Sequence, residues 1–291
     1  MRPPIPSIPE ILRDSDLAPH KKLGQNFLVN PATVEAILDR AAPRPEDTIV
    51  EFGVGLGSLT IPLARRVARV IGLEIDSGLV AWHREHQILP DNVTLLHQDL
   101  LKADFTALAA QCGGRLKIIA NLPYSISNPL LFRLVEHRDA MDFAVLMLQK
   151  EVAQRLAASP RTKEYGVLTV LLGACATVRP LLQVGPGQFH PRPKVDSTVI
   201  RLDFHPHPIN PPVDFRLFAA IVKTAFQKRR KNLPNALAGL DRLASKSDLA
   251  PVLRAAGIEA GSRPDQLATA QYLALAQAMD RLVPQPATPS S

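Results

Sequence analysis

The chain has 291 residues, of which 46% are hydrophobic and 21% charged, with 34 basic and 27 acidic side chains. This composition excludes wholesale disorder, and no apolar run reaches the roughly 18 to 20 residues that a membrane span needs. The proline-rich start at Met1–Pro6 argues against a secretory signal, and Cys112 and Cys175 have no disulfide or metal spacing. We therefore expect a cytoplasmic protein.

Short apolar runs alternate with helical patterns over the first 207 residues. Such alternation is typical of a parallel sheet covered by helices, and Asn30 and Pro31 suit the cap and first turn of one helix. The seventh strand should run antiparallel, because no long crossover separates it from the sixth. The predicted strands are Thr48–Phe52, Ala68–Ile75, Val93–His97, Leu116–Ala120, Phe143–Leu148, Thr177–Val184 and Ser197–Phe204, and the predicted helices are Pro31–Arg40, Gly78–His86, Asn128–His137 and Val167–Ala174.

The pattern changes at His205–Pro212, which holds four prolines in eight residues and predicts a linker. Only helical patterns follow it. We therefore predict an α/β domain over residues 1–207, with a flexible arm at 1–20, and a small helical domain over 208–291 with a frayed tail. Its predicted helices are Phe215–Phe226, Ala236–Ala244, Leu249–Ala256 and Asp265–Leu282.

The positive charge is concentrated in the second domain. Residues 208–291 carry eleven basic and six acidic side chains, whereas the remainder of the chain is nearly neutral. A basic module beside a neutral body indicates a polyanionic partner, most simply a nucleic acid. A solvated basic surface is the alternative.

A glycine-rich loop follows the first predicted strand. Its glycines, Gly53, Gly55 and Gly57, have the spacing G-x-G-x-G, and Glu51 precedes the first of them by two positions. Glycines permit a sharp turn and the close approach of a ligand, but the spacing differs from the G-x-G-x-x-G of dinucleotide-binding enzymes. A structural turn could also explain the loop.

Acidic residues lie at the ends of the next two predicted strands. Glu74 is placed to accept hydrogen bonds from ribose hydroxyls, and Asp99 could accept one from an adenine amino group. Each acid alone could be a helix cap or a solvated charge. Because both should share one sheet edge with the glycine loop, together they favour a cofactor that contains adenosine.

The segment Asn121–Tyr124 closes the fourth predicted strand and favours chemistry on an amine. The Asn121 side-chain oxygen and the Leu122 carbonyl can both accept hydrogen bonds from an exocyclic amine and free its lone pair for attack. Pro123 fixes the backbone, and Tyr124 offers a face on which a base can stack. The alternative is a strand-end turn with a buried tyrosine.

Together these segments resemble the KsgA/RsmA family of ribosomal RNA small-subunit adenine dimethyltransferases, over about Lys21–Met279. Several ordered motifs of four or more residues make a chance match implausible. Val54 departs from the family pattern, in which proline is common at that position. Further matching segments are Lys22–Leu28, Met147–Ala153, Tyr165–Gly166, Phe189–Ser197 and Phe226–Leu233.

The resemblance implies a Rossmann-like, seven-stranded methyltransferase domain that uses S-adenosylmethionine, followed by a helical RNA-binding domain. It implies dimethylation of the N6 amines of two adjacent adenosines in the loop of the 3′-terminal hairpin of 16S rRNA, and a role in small-subunit biogenesis. No metal is expected, no general base is evident, and the target adenine must leave its stack. We expect a monomer.

The resemblance also assigns residues. Tyr124 and Phe189 would be the two aromatic walls for the flipped base, and Lys228–Lys231 would hold RNA phosphates, although a solvated helix face is the alternative. The implied cofactor contacts are Gln25, Asn26, Leu28, Gly53, Gly55, Glu74, Ile75, Asp99, Leu100 and Asn121; the implied catalytic residues are Asn121, Leu122, Pro123, Tyr124 and Phe189; and the implied RNA contacts are Lys228, Arg229, Arg230 and Lys231.

Three other functions remain as alternatives to small-subunit rRNA dimethylation. A dinucleotide-dependent oxidoreductase would leave Asn121–Tyr124 unexplained. A 23S rRNA adenine methyltransferase of the macrolide-resistance type shares the fold, but Phe226–Leu233 fits the small-subunit family better. A mainly non-catalytic small-subunit assembly factor is the third. We interpret His83 and His86 as a surface pair rather than metal ligands.

Overall fold

The computed structural model describes residues 10–11, 24–205, 212–240 and 249–282. Their contacts group the chain into two compact units. The first contains the residues up to Ala153 together with Val178–Phe204, and the second contains Gln154–Thr177 together with the residues from His205 onward. Most of the predicted linker and the whole predicted tail beyond Leu282 lie outside the described residues.

A seven-stranded sheet forms the first unit, in the order β4-β3-β2-β5-β6-β9-β7. The pairs among β2 to β6 are parallel, whereas β9 runs antiparallel to β6, as expected for the last strand. This is the predicted methyltransferase-type architecture. The strands are β2 (Thr48–Phe52), β3 (Arg69–Glu74), β4 (Val93–His97), β5 (Leu116–Asn121), β6 (Met141–Gln149), β7 (Ala176–Val184) and β9 (Ser197–Phe204).

A short second ladder joins two distant segments of the same unit. Strand β1 (Phe27–Leu28) pairs antiparallel with β8 (Phe189–His190), so the residues after Gly24 are fixed beside the loop that precedes β9. This ladder was not predicted, because two-residue strands carry no periodic signal.

Helices of the first unit follow the predicted alternation. Asn30 caps α1 by accepting a hydrogen bond from the Thr33 backbone N–H, as predicted, and Asp76 caps α3 in the same way. The helices are α1 (Pro31–Ala41), α2 (Thr60–Ala64), α3 (Ser77–His86), α4 (Phe105–Gln111), α5 (Ser127–Glu136) and α6 (Lys150–Leu156), the last of which continues into the second unit.

The hydrophobic core of the first unit lies between the sheet and α1. Leu38, Ile49 and Val70 are fully buried there. At about 25 cal/mol per Å² of apolar surface, burial of such side chains is the main stabilising contribution of the sheet. The rigid sheet holds the loops at its carboxyl edge in fixed positions.

The second unit is helical apart from Ala176 and Thr177, which are the first two residues of β7. Asp214 caps α8 through the backbone N–H groups of Arg216 and Leu217. The rings of Tyr165, Phe226 and Tyr272 pack in its interior, with centroids about 6 Å apart. Its helices are α7 (Val167–Cys175), α8 (Phe215–Gln227), α9 (Leu233–Ala236), α10 (Leu249–Ala255) and α11 (Thr269–Leu282).

Several predicted boundaries differ from the structure. The predicted helix Ala236–Ala244 is wrong over 237–240, which form a turn, because Asn232 and Pro234 start the helix earlier and Gly239 does not continue it; the remainder lies outside the described residues. The predicted helix from Asp265 begins only at Thr269, since Leu267 is extended.

The division of the chain also differs from the predicted boundary at 207. Residues 154–177 group with the second unit, because the apolar helix α7 is buried among its helices. Within the predicted flexible arm, Ile11 is only 5% exposed and packs with Phe27 and Trp82, so this residue is not frayed.

Among the described helices, none is long and apolar enough to span a membrane.

Candidate functional site

A cavity opens at the carboxyl edge of the sheet, where the first four parallel strands end. Its empty volume is about 980 Å³, including the space at its open mouth, which is large enough for a nucleoside-sized ligand. Nine of the ten predicted cofactor residues line it. These are Gln25, Asn26, Gly53, Gly55, Glu74, Ile75, Asp99, Leu100 and Asn121.

The glycine loop forms the floor of the cavity. Gly53 and Gly55 have φ angles of +80° and +57°, values that side chains rarely adopt. A Cβ on Gly55 would also come within 3.2 Å of the Phe27 ring. The loop therefore requires glycine at Gly55 both for its backbone conformation and for close packing against β1.

Glu74 ends β3 and is held by two backbone donors. One carboxylate oxygen accepts from the Gly55 N–H and the other from the Asp76 N–H, each at 2.9 Å. Each oxygen keeps a second lone pair, so the carboxylate can still accept hydrogen bonds from two ligand hydroxyls. Burial raises the pKa of Glu74, whereas these backbone donors lower it.

Glu51 is a second buried carboxyl group in the cavity wall, and it is 1% exposed. Its Oε2 has no hydrogen-bond partner within the described part of the chain. Burial raises the pKa of Glu51 to about 8, and the charge of Glu74 adds to this effect. At neutral pH the group is therefore mostly protonated.

The far side of the cavity suits a planar base. Ile75, which is 46% exposed, and Leu100 supply apolar surface to the cavity lining. One carboxylate oxygen of Asp99 accepts from the Leu101 N–H at 2.9 Å. Its second oxygen has no partner among the residues that the structure describes, and it is available to an amino group.

The segment around Asn26 forms a wall of the cavity and contacts the end of β5. The Asn121 side-chain nitrogen donates to the Asn26 carbonyl oxygen at 3.1 Å. The Gln25 side chain donates to Asp76 at 2.9 Å, which fastens the same segment to the start of α3. Sequence reasoning missed Asp76, although its spacing before Gly78 is that of an N-cap.

The hydrogen bond to Asn26 fixes the orientation of the Asn121 amide. Because the nitrogen faces Asn26, the side-chain oxygen is the free acceptor in the cavity wall. The Leu122 carbonyl accepts no hydrogen bond from any described residue. Pro123 has φ −56° and ψ 133°, which turns the chain after it. Two acceptors are thus available beside the cofactor cavity.

Tyr124 follows this turn, and its hydroxyl lies 2.8 Å from the Ser197 hydroxyl at the start of β9. Partial burial raises the pKa of Tyr124, so its hydroxyl is neutral. The contact joins two segments that are 73 residues apart in the chain. It holds the ring at the edge of the sheet, outside the set of residues that line the cavity.

Two predicted site residues are placed elsewhere. Leu28 is 1% exposed and Phe189 is 4% exposed; they are paired in the β1·β8 ladder and both belong to the hydrophobic core. The structure does not bring either side chain into the cavity. Stacking of a base on Phe189 would require its ring to leave the core, and both assignments remain predictions.

His83 is a site residue that sequence reasoning misjudged. The predicted surface pair is wrong for His83, which is 3% exposed and whose Nε2 lies 2.8 Å from the Gly55 carbonyl oxygen. Burial lowers its pKa, so the neutral ring donates to the glycine loop. Its position four residues after the buried Leu79 on α3 was the available signal.

The basic run Lys228–Lys231 lies in the turn after α8 rather than on a helix. Arg229 donates to the Asp265 carboxylate and to the carbonyls of Lys163 and Thr162, at 3.1, 2.8 and 2.7 Å. Its guanidinium thus makes three hydrogen bonds within the second unit, and its assignment as an RNA contact stays a prediction. Lys228, Arg230 and Lys231 are exposed.

Charge and donor set together define what the cavity can bind. Three carboxyl groups line it, those of Glu51, Glu74 and Asp99, and no basic side chain belongs to the described lining. Within the described ranges, no group of three or more His, Cys, Asp or Glu residues could hold a metal ion. An acidic cavity with an apolar slot favours a positively charged ligand that carries a base.

A family model described as ribosomal RNA adenine dimethylase matches residues 17–281. The chain is 46% identical over 272 residues to a protein named ribosomal RNA small subunit methyltransferase A from Desulfotalea psychrophila, covering 91% of this chain and 92% of that protein. A protein of the same name from Syntrophus aciditrophicus is 41% identical, with 93% and 97% covered.

Two solved structures are similar over 88% of the chain. One is a dimethyladenosine transferase from Plasmodium falciparum, with a TM-score of 0.74, 24% identity and 98% of that chain covered. The other is the 23S rRNA methyltransferase ErmE, with a TM-score of 0.63, 25% identity and its full length covered. The similarity to the dimethyladenosine transferase structure supports the fold assignment.

Proposed function

The chain belongs to the ribosomal RNA adenine dimethylase family, and on that premise we propose that it dimethylates the N6 amines of two adjacent adenosines of 16S rRNA. The target is the loop of the 3′-terminal hairpin, in the small ribosomal subunit during its biogenesis. The observation that carries the proposal is the fixed Asn121 amide, whose oxygen is the free acceptor beside an acid-lined cavity.

The cavity fits S-adenosylmethionine. Glu74 can accept the two ribose hydroxyls, Asp99 the adenine amino group, and Ile75 and Leu100 can flank the base. The Glu74 carboxylate supplies negative charge for a sulfonium cation, and a cation beside Glu51 would favour ionisation of that buried carboxyl group. When bound, S-adenosylmethionine supplies a methyl group that is already electrophilic, and its transfer requires no metal.

Asn121 and Leu122 act on the nucleophile. The lone pair of the adenine N6 is delocalised into the ring, and two acceptors that bind its hydrogens favour the pyramidal form in which the pair is free. The Asn121 oxygen and the Leu122 carbonyl are both available for this. Positioning can contribute on the order of 7–11 kcal/mol in favourable cases. The N6 proton leaves after the methyl group has been transferred, so no general base is needed during transfer.

Access to the amine requires the adenosine to leave its stack. Tyr124 follows the cavity-lining residue Pro123 and is held through Ser197, so its ring can stack on an extruded base. Pro123 limits the backbone freedom of the loop between the two acceptors and this ring. Preorganisation of this loop lowers the entropy cost of ordering the base.

The small subunit as partner is supported by the names of the similar proteins and by the basic second unit. The 46% and 41% identical proteins are small-subunit methyltransferases, whereas the 23S enzyme is 25% identical. Lys228, Arg230 and Lys231 are exposed cations suited to phosphate contacts. No assembly role independent of catalysis is favoured by a separate observation.

The test uses small subunits from a strain that lacks the dimethyladenosines. They are incubated with the protein and S-adenosylmethionine, and the digested rRNA is analysed by mass spectrometry. We expect two N6,N6-dimethyladenosines per subunit with the wild type and none with Asn121→Ala. Gln111→Ala, which removes an exposed amide outside the cavity lining, is the matched control and should retain activity.

Other outcomes would contradict the proposal. Product on naked 23S rRNA but none on small subunits would assign the enzyme to the resistance type. No product on either, combined with restored subunit maturation by Asn121→Ala in cells, would leave the assembly role.

A further inference from the structure

His83 is a buried polar residue that the proposed reaction does not use. Its ring is 3% exposed, and its Nε2 lies 2.8 Å from the Gly55 carbonyl oxygen. Its Nδ1 has no hydrogen-bond partner among the described residues. A buried nitrogen without a partner costs stability, and an apolar side chain at this position, one helical turn after Leu79, would avoid that cost. Packing alone therefore does not explain a histidine here.

The contact with Gly55 fixes which nitrogen of His83 carries the proton. A carbonyl oxygen only accepts, so Nε2 is the donor, and Nδ1 is unprotonated in the neutral ring. Burial lowers the pKa of His83, which favours this neutral form. His83 therefore acts on the glycine loop as a hydrogen-bond donor and not as a charge.

This hydrogen bond completes the restraint of Gly55. The Gly55 N–H donates to Glu74 at 2.9 Å and its carbonyl accepts from His83, so the peptide units on both sides of its α-carbon are held. Glycine is the residue with the most backbone freedom, and this one has a φ of +57°. Holding both peptide units therefore fixes the loop at the point where it lines the cavity.

The contacts form a closed circuit around the Glu74 carboxylate. One of its oxygens accepts from the Gly55 N–H and the other from the Asp76 N–H. The Asp76 side chain caps α3, and α3 carries His83 about two turns later, where the ring returns to Gly55. His83 itself is outside the described cavity lining, so it acts on the cavity through Gly55.

On the basis of the proposed function, we infer that His83 is a positioning residue for S-adenosylmethionine. It holds the Gly55 carbonyl, and through Gly55 it keeps the Glu74 carboxylate in the orientation that accepts the ribose hydroxyls. Such a preorganised carboxylate binds more tightly, because ligand binding does not have to order the loop. His83 thus contributes to cofactor affinity and does not act on the methyl transfer itself.

The test compares His83→Leu with His83→Gln. Leucine removes the donor and keeps an apolar side chain of similar size, whereas the glutamine amide can place an N–H near the position of Nε2. His83→Leu should weaken S-adenosylmethionine binding about tenfold in calorimetry, raise the KM for this cofactor and leave kcat at saturating cofactor unchanged. His83→Gln should restore most of the affinity.

His86→Leu is the matched control on the same helix. The Nδ1 of His86 lies 2.9 Å from the carbonyl oxygen of Trp82, which belongs to α3 itself. Removal of this imidazole does not change a contact of the glycine loop. The control should therefore bind S-adenosylmethionine with wild-type affinity.

Hydrogen exchange without cofactor gives a second readout. The backbone amides of residues 53–57 should exchange faster in His83→Leu than in the wild type, and close to the wild-type rate in His83→Gln. Wild-type affinity and exchange in His83→Leu would overturn the inference, and so would equal losses in both variants, which would indicate a packing role. If the wild type does not bind S-adenosylmethionine, the proposed function fails, while the exchange comparison still decides whether His83 holds the loop.

Discussion

The two buried carboxyl groups of the cavity, Glu51 and Glu74, differ in their hydrogen-bond partners. Glu74 keeps its place through two backbone donors, whereas Glu51 has an oxygen without a partner among the described residues. The raised pKa of Glu51 means that its proton is bound more tightly in the folded than in the unfolded chain. The folded state therefore loses stability as pH rises from about 4.5 to about 8.

Glu51→Gln should remove this pH dependence. The wild type should lose about 4 kcal/mol of unfolding free energy from this group between pH 5 and pH 9, and the variant should not. Urea unfolding at pH 5, 7 and 9 measures the difference. Glu85→Gln, at an exposed position of α3, is the control and should follow the wild-type profile. Parallel profiles for the wild type and Glu51→Gln would contradict the pKa assignment.

Sequence order was sufficient to predict Glu74, Asp99 and Asn121, because the carboxyl ends of parallel strands share one edge. It was insufficient for His83 and Phe189, whose burial depends on which faces pack together in three dimensions. For His83 the one local signal is its position four residues after the buried Leu79 on α3. At Phe189 the resemblance implies an aromatic wall for the base, and in the structure the ring lies in the core beside the β1·β8 ladder, so this assignment stays a prediction.

At the scale of elements, the glycine loop depends on both conformation and contact. Gly55 has a φ of +57°, its N–H binds Glu74, its carbonyl receives His83, and its α-carbon lies against Phe27. Four elements, β1, β2, β3 and α3, thus meet at one residue. A change there should alter ligand binding as well as stability.

A comparison of Gly55→Ala with Gly113→Ala tests this prediction. Both glycines have positive φ, so each alanine should cost about 1–2 kcal/mol of stability. An added Cβ at Gly113 meets nothing within 4 Å, whereas at Gly55 it meets the Phe27 ring. We therefore expect lower stability for Gly55→Ala and about tenfold weaker S-adenosylmethionine binding, measured by urea unfolding and calorimetry. Equal behaviour of the two variants would refute this account of the loop.

The basic turn after α8 contains residues with different tasks. Arg229 makes three hydrogen bonds within the second unit, whereas Arg230 is exposed. The sequence shows only four consecutive cations, because partners such as Asp265 are distant in the chain. Local propensity also explains the error in the predicted helix Ala236–Ala244. The Asn232 cap starts the helix at Leu233, earlier than helix propensity alone indicates.

Arg229→Ala should lower the unfolding free energy by about 2 kcal/mol, since a charged, multiply bonded donor is lost. Arg230→Ala should leave stability within about 0.5 kcal/mol of wild type and weaken subunit binding. Thermal unfolding and sedimentation with small subunits separate the two effects. Loss of binding without loss of stability in Arg229→Ala would show that its internal bonds are dispensable.

At the scale of the whole molecule, one unit holds the candidate site and the other carries the excess of basic over acidic residues. The parallel sheet and its antiparallel last strand were predictable from the alternation of patterns and the lengths of connections, whereas the order of the strands was not predicted. The membership of residues 154–177 was not, because it depends on which helices bury α7. The proposed reaction requires both units, since an acidic cavity alone would not retain RNA.

The most direct test of the proposed activity maps the modified positions in 16S rRNA after reaction in vitro. Dimethylation of N6 blocks base pairing, so reverse transcription should stop there. The proposal predicts stops at two adjacent adenosines in the loop of the 3′-terminal hairpin, present with wild type and absent with Asn121→Ala. Stops at any other position of 16S rRNA, or only in 23S rRNA, would contradict it.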